Sequence, residues 1–296
     1  MRLLLLLAIL ISGPAWGKGT LIIVGGGLSS DNAEIYSAFI DAAKGGTIAI
    51  IPSASGEPSA SLHSFADNLV RYGVSRDRIA IVQLAEVDDL GTSTINEASW
   101  AGNARDANEI VKIKGARAIW FTGGDQARTT RLLVQNGQDT PMLKAIRKRL
   151  KAGAVVGGTS AGAAIMGTGM IVCGDPKRAS ESIGTIADCA PKEGQTEPLV
   201  LGRGLGFLSD YVVDQHFGQR GRLPRLLRAT ACGSGRGLGI DEDTAIIVDI
   251  TGRRASVIGN GTVTVSAKAG HSVDCADNWE RAGLAVFKAG EEFHLD

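Results

Sequence analysis

The chain has 296 residues, of which 44% are hydrophobic and 21% are charged, and its formal net charge is zero because 31 basic residues balance 31 acidic ones. This is the composition of an ordinary globular protein, and the length suits one large α/β domain or two small ones. The charge balance argues against nucleic acid or a membrane surface as a partner.

The N-terminus is apolar. Arg2 precedes an apolar run from Leu3 to Ile11, and a break with small residues follows. This is the pattern of a secretory signal peptide, here cleaved after Gly17. The alternative is a membrane anchor, but the run is far shorter than the roughly 20 residues that a spanning helix needs. We therefore expect residues 1–17 to direct export to the periplasm or the medium, and residues 18–296 to form a single domain without a membrane partner.

Short apolar segments alternate with helical patterns along the chain. Strands are predicted at 20–24, 47–51, 79–82, 118–121, 154–156, 211–213, 238–240 and 245–250, with β-like segments at 255–265 and 285–288. Helices are predicted at about 31–43, 61–72, 104–113, 143–150 and 223–229. Strands that are apolar on both faces belong to a parallel sheet covered on both sides, so the predicted fold is α/β. Such sheets bind ligands at the C-terminal ends of their strands.

The first predicted strand ends in three glycines at 25–27. A glycine-rich turn between a strand and a helix can bind the phosphates of a dinucleotide. That motif requires a third, spaced glycine, and Ser30 stands at its position. The indication of a dinucleotide site is therefore weak.

A second glycine-rich turn surrounds Ser160. Residues 157–162 read Gly-Gly-Thr-Ser-Ala-Gly, between an apolar run and a helical stretch of small residues at 163–166. The Gly-x-Ser-x-Gly pattern is typical of a nucleophile elbow, which projects the serine hydroxyl from the C-terminal edge of a sheet. The N–H groups at the start of the following helix could bind an oxyanion. The alternative is a turn that binds phosphate or only packs.

A serine nucleophile needs a base, and histidine is the usual one. The chain contains four histidines, at positions 63, 216, 271 and 294. We expect His216 to be the base, because it follows an apolar strand and has polar neighbours. The carboxylate that orients it would be Asp214 or a member of the turn Asp241–Asp243, in which Glu242 is the best placed. This turn could also be merely polar.

Three arginines, Arg220, Arg222 and Arg225, lie close to His216 in the sequence. They could form a solvated face. Beside a candidate active site, we expect the guanidinium groups to bind substrate carboxylates, because each can donate two hydrogen bonds to one carboxylate.

The four cysteines are Cys173, Cys189, Cys232 and Cys275. An even number in an exported chain suggests two disulfides, for which three pairings exist. Their spacing is not that of a zinc site. We expect Cys173–Cys189, which would close part of a polar surface insertion at 174–198, and Cys232–Cys275, which would reach the C-terminal region.

Four ordered segments resemble cyanophycinase, a family of serine peptidases that also contains aspartyl dipeptidase: Phe-Thr-Gly-Gly-Asp-Gln at 121–126, the serine turn at 157–163, Asp-Gln-His-Phe at 214–217 with the arginine segment to 225, and Gly-Ile-Asp-Glu-Asp-Thr-Ala at 239–245. The resemblance covers about residues 20–265. It implies a flavodoxin-like fold similar to class I glutamine amidotransferases, with a mainly parallel sheet and helices on both faces. It also implies a homodimer and no metal or cofactor. The family cleaves cyanophycin, a polyaspartate with arginine on each side-chain carboxyl, into β-Asp-Arg dipeptides.

The resemblance also implies residue roles by position. Ser160 would be the nucleophile, His216 the base and Glu242 its orienting carboxylate. The backbone N–H groups of Gly124 and Ala161 would form the oxyanion hole. The substrate pocket would be lined by Gln126, Asp214, Gln215, Arg220, Arg222 and Arg225.

Two features depart from the family pattern near the expected pocket: Pro224 within the arginine segment, and the insertion between Cys173 and Cys189. They affect the expected placement of the substrate more than that of Ser160. The expected function is an exported serine exopeptidase that degrades cyanophycin. One alternative is a secreted dipeptidase for short aspartyl peptides. The other is a non-catalytic protein whose serine turn holds an anion, but such a protein would need neither His216 nor Glu242.

Overall fold

The computed structural model describes residues 19–190, 195–233, 235–267 and 283–295, so the expected signal peptide lies outside the described residues. The strands within these ranges are β1 (Thr20–Val24), β2 (Ile48–Ile51), β3 (Ile79–Ile81), β4 (Ala118–Phe121), β5 (Val134–Gln135), β6 (Gln138–Asp139), β7 (Val155–Thr159), β8 (Gly167–Cys173), β9 (Val200–Arg203), β10 (Leu208–Asp214), β11 (Arg236–Ile240), β12 (Thr244–Asp249), β13 (Arg254–Gly259), β14 (Thr262–Ser266), β15 (Leu284–Lys288) and β16 (Glu292–His294). The α-helices are α1 (Ala33–Ala42), α2 (Pro58–Arg71), α3 (Ala107–Gly115), α4 (Gln126–Leu133), α5 (Pro141–Lys151), α6 (Ala161–Ala164), α7 (Pro176–Glu181) and α8 (Leu223–Ala231). Over these ranges the chain contains no helix with the length and apolar character of a membrane span.

The larger sheet has the order β16-β13-β12-β1-β7-β4-β2-β3 within the described residues. Strands β1, β7, β4, β2 and β3 run parallel, and β12, β13 and β16 extend the sheet in antiparallel pairs. On one face, Phe39 of α1 and Phe65 of α2 pack around Trp120. On the other face, α3 and α5 bury Ile113 and Ile146 in a second core. The predicted α/β fold, with a mainly parallel sheet and helices on both faces, is confirmed.

A second sheet was not predicted. Its order in the described part of the chain is β15-β14-β11-β10-β8-β9. The segment after the serine turn accounts for the difference. There α6 ends at Ala164 and β8 begins at Gly167, whereas the sequence pattern predicts a helix over 163–166 and no strand before the polar stretch at 174–198. β8 pairs with β10 on one side and with β9 on the other. This pairing is distant along the chain, so the local sequence could not reveal it.

The sequence suggested that the polar stretch at 174–198 is a surface insertion. In the structure, part of this stretch packs against the protein core. It contains α7, whose Ala179 is fully buried against Leu226 and Ala229 of α8. The Nη1 of Arg228 also donates a hydrogen bond to the Ser180 carbonyl, at 2.8 Å. A six-residue helix buries too few apolar side chains for its sequence to predict that it packs against the core.

The disulfide Cys173–Cys189 is present, with a Cα–Cα distance of 5.6 Å. It confirms the first of the two predicted pairings and joins the end of β8 to the segment that follows α7. Cys275 lies outside the described residues. The pairing Cys232–Cys275 therefore stays a prediction.

The connections between the two sheets position the candidate site. Ser160 lies between β7 of the first sheet and β8 of the second, and Glu242 lies between β11 of the second sheet and β12 of the first. His216 follows β10, and its backbone N–H donates to the Gly25 carbonyl, just beyond the end of β1, at 2.6 Å. The three side chains therefore come together where the two sheets meet.

Candidate active site

Ser160 occupies the sharp turn that the sequence predicts. Its φ of 53° and ψ of −115° lie in a region that non-glycine residues rarely adopt. The turn is held by its N–H, which donates to the Val24 carbonyl at 3.1 Å. A Cβ on Gly158 would lie 2.7 Å from the carbonyl carbon of Gly162, and a Cβ on Gly162 would lie 2.9 Å from that of Phe121. Both flanking positions therefore require glycine.

Ser160, His216 and Glu242 form a continuous chain of hydrogen bonds. The Oγ of Ser160 lies 2.8 Å from Nε2 of His216. The Nδ1 of His216 lies 2.5 Å from Oε1 of Glu242. A carboxylate at Nδ1 favours the tautomer in which Nδ1 carries the proton, which leaves Nε2 to accept the hydroxyl proton. This arrangement can activate the serine.

The other carboxylates that the sequence offered for His216 have different partners. Asp214 pairs with Arg225. Asp241 accepts the N–H of Gly218 at 2.8 Å, and Asp243 accepts a hydrogen bond from Asn32 at 3.0 Å. The two acidic neighbours of Glu242 therefore fix the turn on which Glu242 is carried.

His216 has a pKa below the ordinary value for histidine. The main cause is burial, which disfavours the charged imidazolium, and the nearby cations Arg220 and Arg222 act in the same direction. The hydrogen bond from Nδ1 to Glu242 opposes this shift. At neutral pH the imidazole is accordingly uncharged, as acceptance of a proton from Ser160 requires.

The glycine turn at 25–27 supports the reactive side chains, a role that the sequence did not suggest. A Cβ on Gly26 would lie 2.9 Å from Cδ2 of His216 and even closer to Cε1 and Nε2. A Cβ on Gly27 would lie 2.9 Å from Oε2 of Glu242. The Gly26 carbonyl also accepts the N–H of Asp243 at 2.8 Å. The glycines were visible in the sequence, but only the meeting of the two sheets shows what they contact.

The two predicted oxyanion residues, Gly124 and Ala161, lie in different parts of the fold. Ala161 directly follows Ser160 as the first residue of α6. Gly124 lies after β4 with a φ of +135°, and it lines the same cavity as Ser160. A Cβ on Gly124 would lie 2.8 Å from Cα of Ser55, so a larger residue could not occupy this turn without moving it.

Ser160 opens into a cavity of about 850 Å³. Five of the six residues expected to bind substrate line it: Gln126, Gln215, Arg220, Arg222 and Arg225. The sixth, Asp214, is 1% exposed and is bonded to Arg225. The sequence analysis did not identify the acidic part of the lining, which comprises Asp125, Asp175 and Glu197. The cavity therefore presents both signs of charge, and the disulfide residues Cys173 and Cys189 also contribute to its wall.

The arginines of the cavity differ in how firmly they are held. Arg225 donates to both carboxylate oxygens of Asp214 and, through Nη1, to the Gly174 carbonyl at 2.5 Å. Arg222 donates to the side chain of Gln215 at 2.7 Å. Burial and the positive charge of Arg225 lower the pKa of Arg222 to about 10. Arg220 is exposed, so its guanidinium is the most accessible of the three.

Gln126 connects the cavity to the second sheet. Its Nε2 donates to the carbonyls of Ile171 at 2.8 Å and Val172 at 2.7 Å, both on β8. The amide thereby holds the strand that leads to the disulfide. Since Gln126 is also the first residue of α4, it fixes the position of that helix relative to the cavity wall.

The model of peptidase family S51 matches residues 21–257. This chain belongs to peptidase family S51. Curated relatives named cyanophycinase include those of Geminocystis herdmanii (36% identical, covering 84% of this chain and 80% of the relative), Synechococcus elongatus (33%, 84% and 68%) and Trichormus variabilis (30%, 85% and 74%). The S51 assignment and these relatives make the chain a serine peptidase similar to cyanophycinases.

Solved structures support the fold of this S51 peptidase. A peptidase from an acI-B1 Actinobacterium has a TM-score of 0.62 at 18% identity, with 93% of this chain and 96% of that chain covered. A putative peptidase E from Listeria monocytogenes has a TM-score of 0.50 at 16% identity, with 82% and 99% covered. At such low identity these similarities concern the fold alone.

Proposed function

We propose that this S51 peptidase is an exported cyanophycinase that hydrolyses the polymer to β-Asp-Arg dipeptides. The observation that carries the proposal is the chain of hydrogen bonds from Ser160 to His216 and Glu242, which opens into a cavity of mixed charge. Cyanophycin has an aspartate backbone with an arginine on each side chain. Every repeat thus carries one carboxylate and one guanidinium, and a cavity of mixed charge can pair with both. The cyanophycinase names of the relatives support the same substrate.

The proposed reaction uses this geometry. Ser160 Oγ attacks the carbonyl carbon of a backbone amide, and His216 Nε2 takes the hydroxyl proton. The C–N bond breaks as His216 returns that proton to the leaving amine, which leaves an ester on Ser160. Water then attacks this ester and gives a proton to His216, and His216 returns that proton to Ser160 Oγ as the acyl C–O bond breaks, which releases the acid and regenerates the serine. Glu242 stabilises the imidazolium that forms in each half of the reaction.

The negative oxygen of each tetrahedral intermediate needs hydrogen-bond donors. In this proposal they are the backbone N–H groups of Gly124, which follows β4 and lines the Ser160 cavity, and of Ala161, the first residue of α6. A preorganised donor at this position contributes roughly 10²- to 10³-fold to the rate.

Arg220 is the main residue proposed to bind substrate carboxylates, because it is exposed and lines the cavity. Arg222 and Arg225 add positive charge to the cavity wall, and their hydrogen bonds to Gln215 and Asp214 keep that wall rigid. Gln126 holds the opposite wall. All six residues therefore act in substrate binding, by contact or by positioning.

Export and dimerisation complete the proposal. The apolar leader at 1–17 supports export, and the disulfide Cys173–Cys189 fits an oxidising compartment. N-terminal sequencing of the exported protein should begin after Gly17. Light scattering of the purified protein should give twice the mass of the mature chain, and a monomeric mass would contradict the homodimer.

The decisive experiment compares two substrates with the purified mature protein. Cyanophycin should be cleaved to β-Asp-Arg, identified by mass spectrometry, and the dipeptide Asp-Leu should be cleaved far more slowly. Ser160→Ala and His216→Ala should each lower the rate by at least about 10³-fold while circular dichroism stays unchanged. A preference for Asp-Leu would favour an aspartyl dipeptidase, and activity within tenfold of wild type in either variant would contradict the assigned roles.

A further inference from the structure

A second cavity, of about 280 Å³, adjoins the Ser160 cavity along α4. Ala127 and Arg131 line the first cavity, whereas Thr130, Arg131 and Val134 line the second. Residues three and four apart lie on the same face of a helix. One face of α4 and the residue after it therefore form a wall common to both cavities, which meet at Arg131.

The second cavity and its rim carry charges of both signs. The Nε of Arg131 lies 3.2 Å from Oε1 of Glu86, and the Arg131 side chain is 53% exposed. The Nε of Arg147 lies 2.5 Å from Oδ2 of Asp139, and its guanidinium lies over the ring of Phe207 at 5.5 Å.

Arg203 also lines the second cavity. It is the last residue of β9, where its backbone is in register with Gly169 of β8, and its side chain is exposed. Because the strand pairing fixes the backbone, the guanidinium is presented from a rigid element while its end can still reach a ligand. Arg203 thus supplies a positive charge to the second cavity, and it is not among the residues that line the Ser160 cavity.

We propose that the second cavity binds repeats of the zwitterionic polymer that lie beyond the one being cleaved. This inference rests on the proposed function and extends it to a polymer-binding site remote from Ser160. The carboxylates of successive arginine branches would pair with Arg131 and Arg203, and their guanidiniums with Glu86 and Asp139. In the Arg131–Glu86 pair the side chains are 53% and 23% exposed, so the guanidinium can exchange Glu86 for a substrate carboxylate at low cost, because ion pairs in contact with solvent contribute little to stability. Several weak contacts along one chain then add up, since each bound repeat raises the local concentration of the next.

The test compares substrates of different length. On this proposal a fragment of two repeats binds in the Ser160 cavity alone, whereas soluble cyanophycin reaches both cavities. Arg203→Ala should raise KM for the polymer roughly two- to fivefold, and Arg131→Ala with Arg203→Ala should raise it roughly four- to 25-fold, with kcat unchanged. The Arg203→Ala variant should keep the wild-type KM for the fragment. The matched control is Arg76→Ala, which removes an arginine that is 68% exposed and paired with Asp67 outside both cavities.

The outcomes separate this inference from the proposed function. Wild-type protein that does not cleave the polymer would overturn the proposed function. If the wild-type protein cleaves the polymer but the double variant has the same KM for it, the remote site is overturned and the proposed function stands. Binding of the polymer to Ser160→Ala protein, with and without Arg203→Ala, provides a measurement without turnover. In this background, Arg203→Ala should weaken polymer binding by the factor expected for its effect on KM. Added salt should reduce the difference in affinity between the two proteins, because it screens exposed charges.

Discussion

At the scale of single residues, Gly26 supports His216 through close backbone contact. Gly26→Ala should lower kcat/KM for a small activated ester by roughly 10²-fold, because the new methyl group would displace the imidazole and misalign the reacting groups. The control is Gly45→Ala, which also has a positive φ but would place its Cβ in open space. Both variants carry backbone strain, and thermal unfolding measures its effect on stability. Only Gly26→Ala should also lose activity, which steady-state kinetics measure. Equal losses would mean that strain, not the contact with His216, is responsible.

The pH dependence of the reaction should follow the pKa of His216. The base acts when uncharged, so kcat/KM for the ester should fall as the pH decreases through the pKa of the folded protein. Because burial lowers that pKa, the midpoint should lie below the ordinary value of 6.5. Arg220→Ala removes a nearby cation and should move the midpoint upward, whereas Glu242→Gln removes the stabilising carboxylate and should move it downward with a large loss of kcat. A wild-type midpoint at or above 6.5 would contradict this account.

Arg220 and Arg225 should respond differently to substitution. Arg225→Ala leaves Asp214, which is 1% exposed, without its main partner, and removal of one member of a buried pair costs roughly 3–5 kcal/mol. We therefore expect a lower free energy of unfolding in urea and slower turnover of both polymer and ester. Arg220→Ala should change stability by less than about 0.5 kcal/mol and slow the polymer alone when assayed at pH 8. Similar stability losses in the two variants would contradict the buried role of Arg225.

At the scale of elements, the disulfide and β8 form one wall of the cavity. Cys173→Ser with Cys189→Ser should raise KM for the polymer, because the segment from Ile186 to Ala190 would lose its attachment to β8. Closure of a loop of this length contributes about 3 kcal/mol in the chain-entropy model, so the melting temperature should also fall. Turnover of the ester should be nearly unchanged, since Ser160 and His216 are held by other contacts. An equal loss for both substrates would show that the disulfide supports Ser160 itself.

At the scale of the whole molecule, both sheets share one hydrophobic core. This core contains Leu21 and Val156 from the first sheet and Val213 and Leu238 from the second. We therefore expect the mature chain to unfold in a single transition, in which ester activity, far-UV circular dichroism and tryptophan fluorescence are lost together. Two separate transitions, with activity lost in the first, would indicate that the sheets are independent domains.

The sequence by itself determined the parts of the protein that depend on local patterns. The apolar runs at 20–24 and 118–121 predict strands of a covered parallel sheet, and both are buried strands of one. The glycines around Ser160 allowed one sharp turn, and the resemblance of four ordered segments supplied His216 and Glu242 as its partners. The strands and the turn needed only residue type and spacing, because sterics and burial act over a few residues, whereas Glu242 as the partner of His216 came from the resemblance.

Only the tertiary structure decided how the distant parts meet. It showed a second sheet, a glycine turn pressed against His216, and two arginines that are already bonded to Gln215 and Asp214. Each of these depends on contacts between segments that lie far apart along the chain or on hydrogen bonds whose partners the sequence does not name. The reason is physical: strand pairing and buried ion pairs are chosen by which surfaces the whole chain brings together.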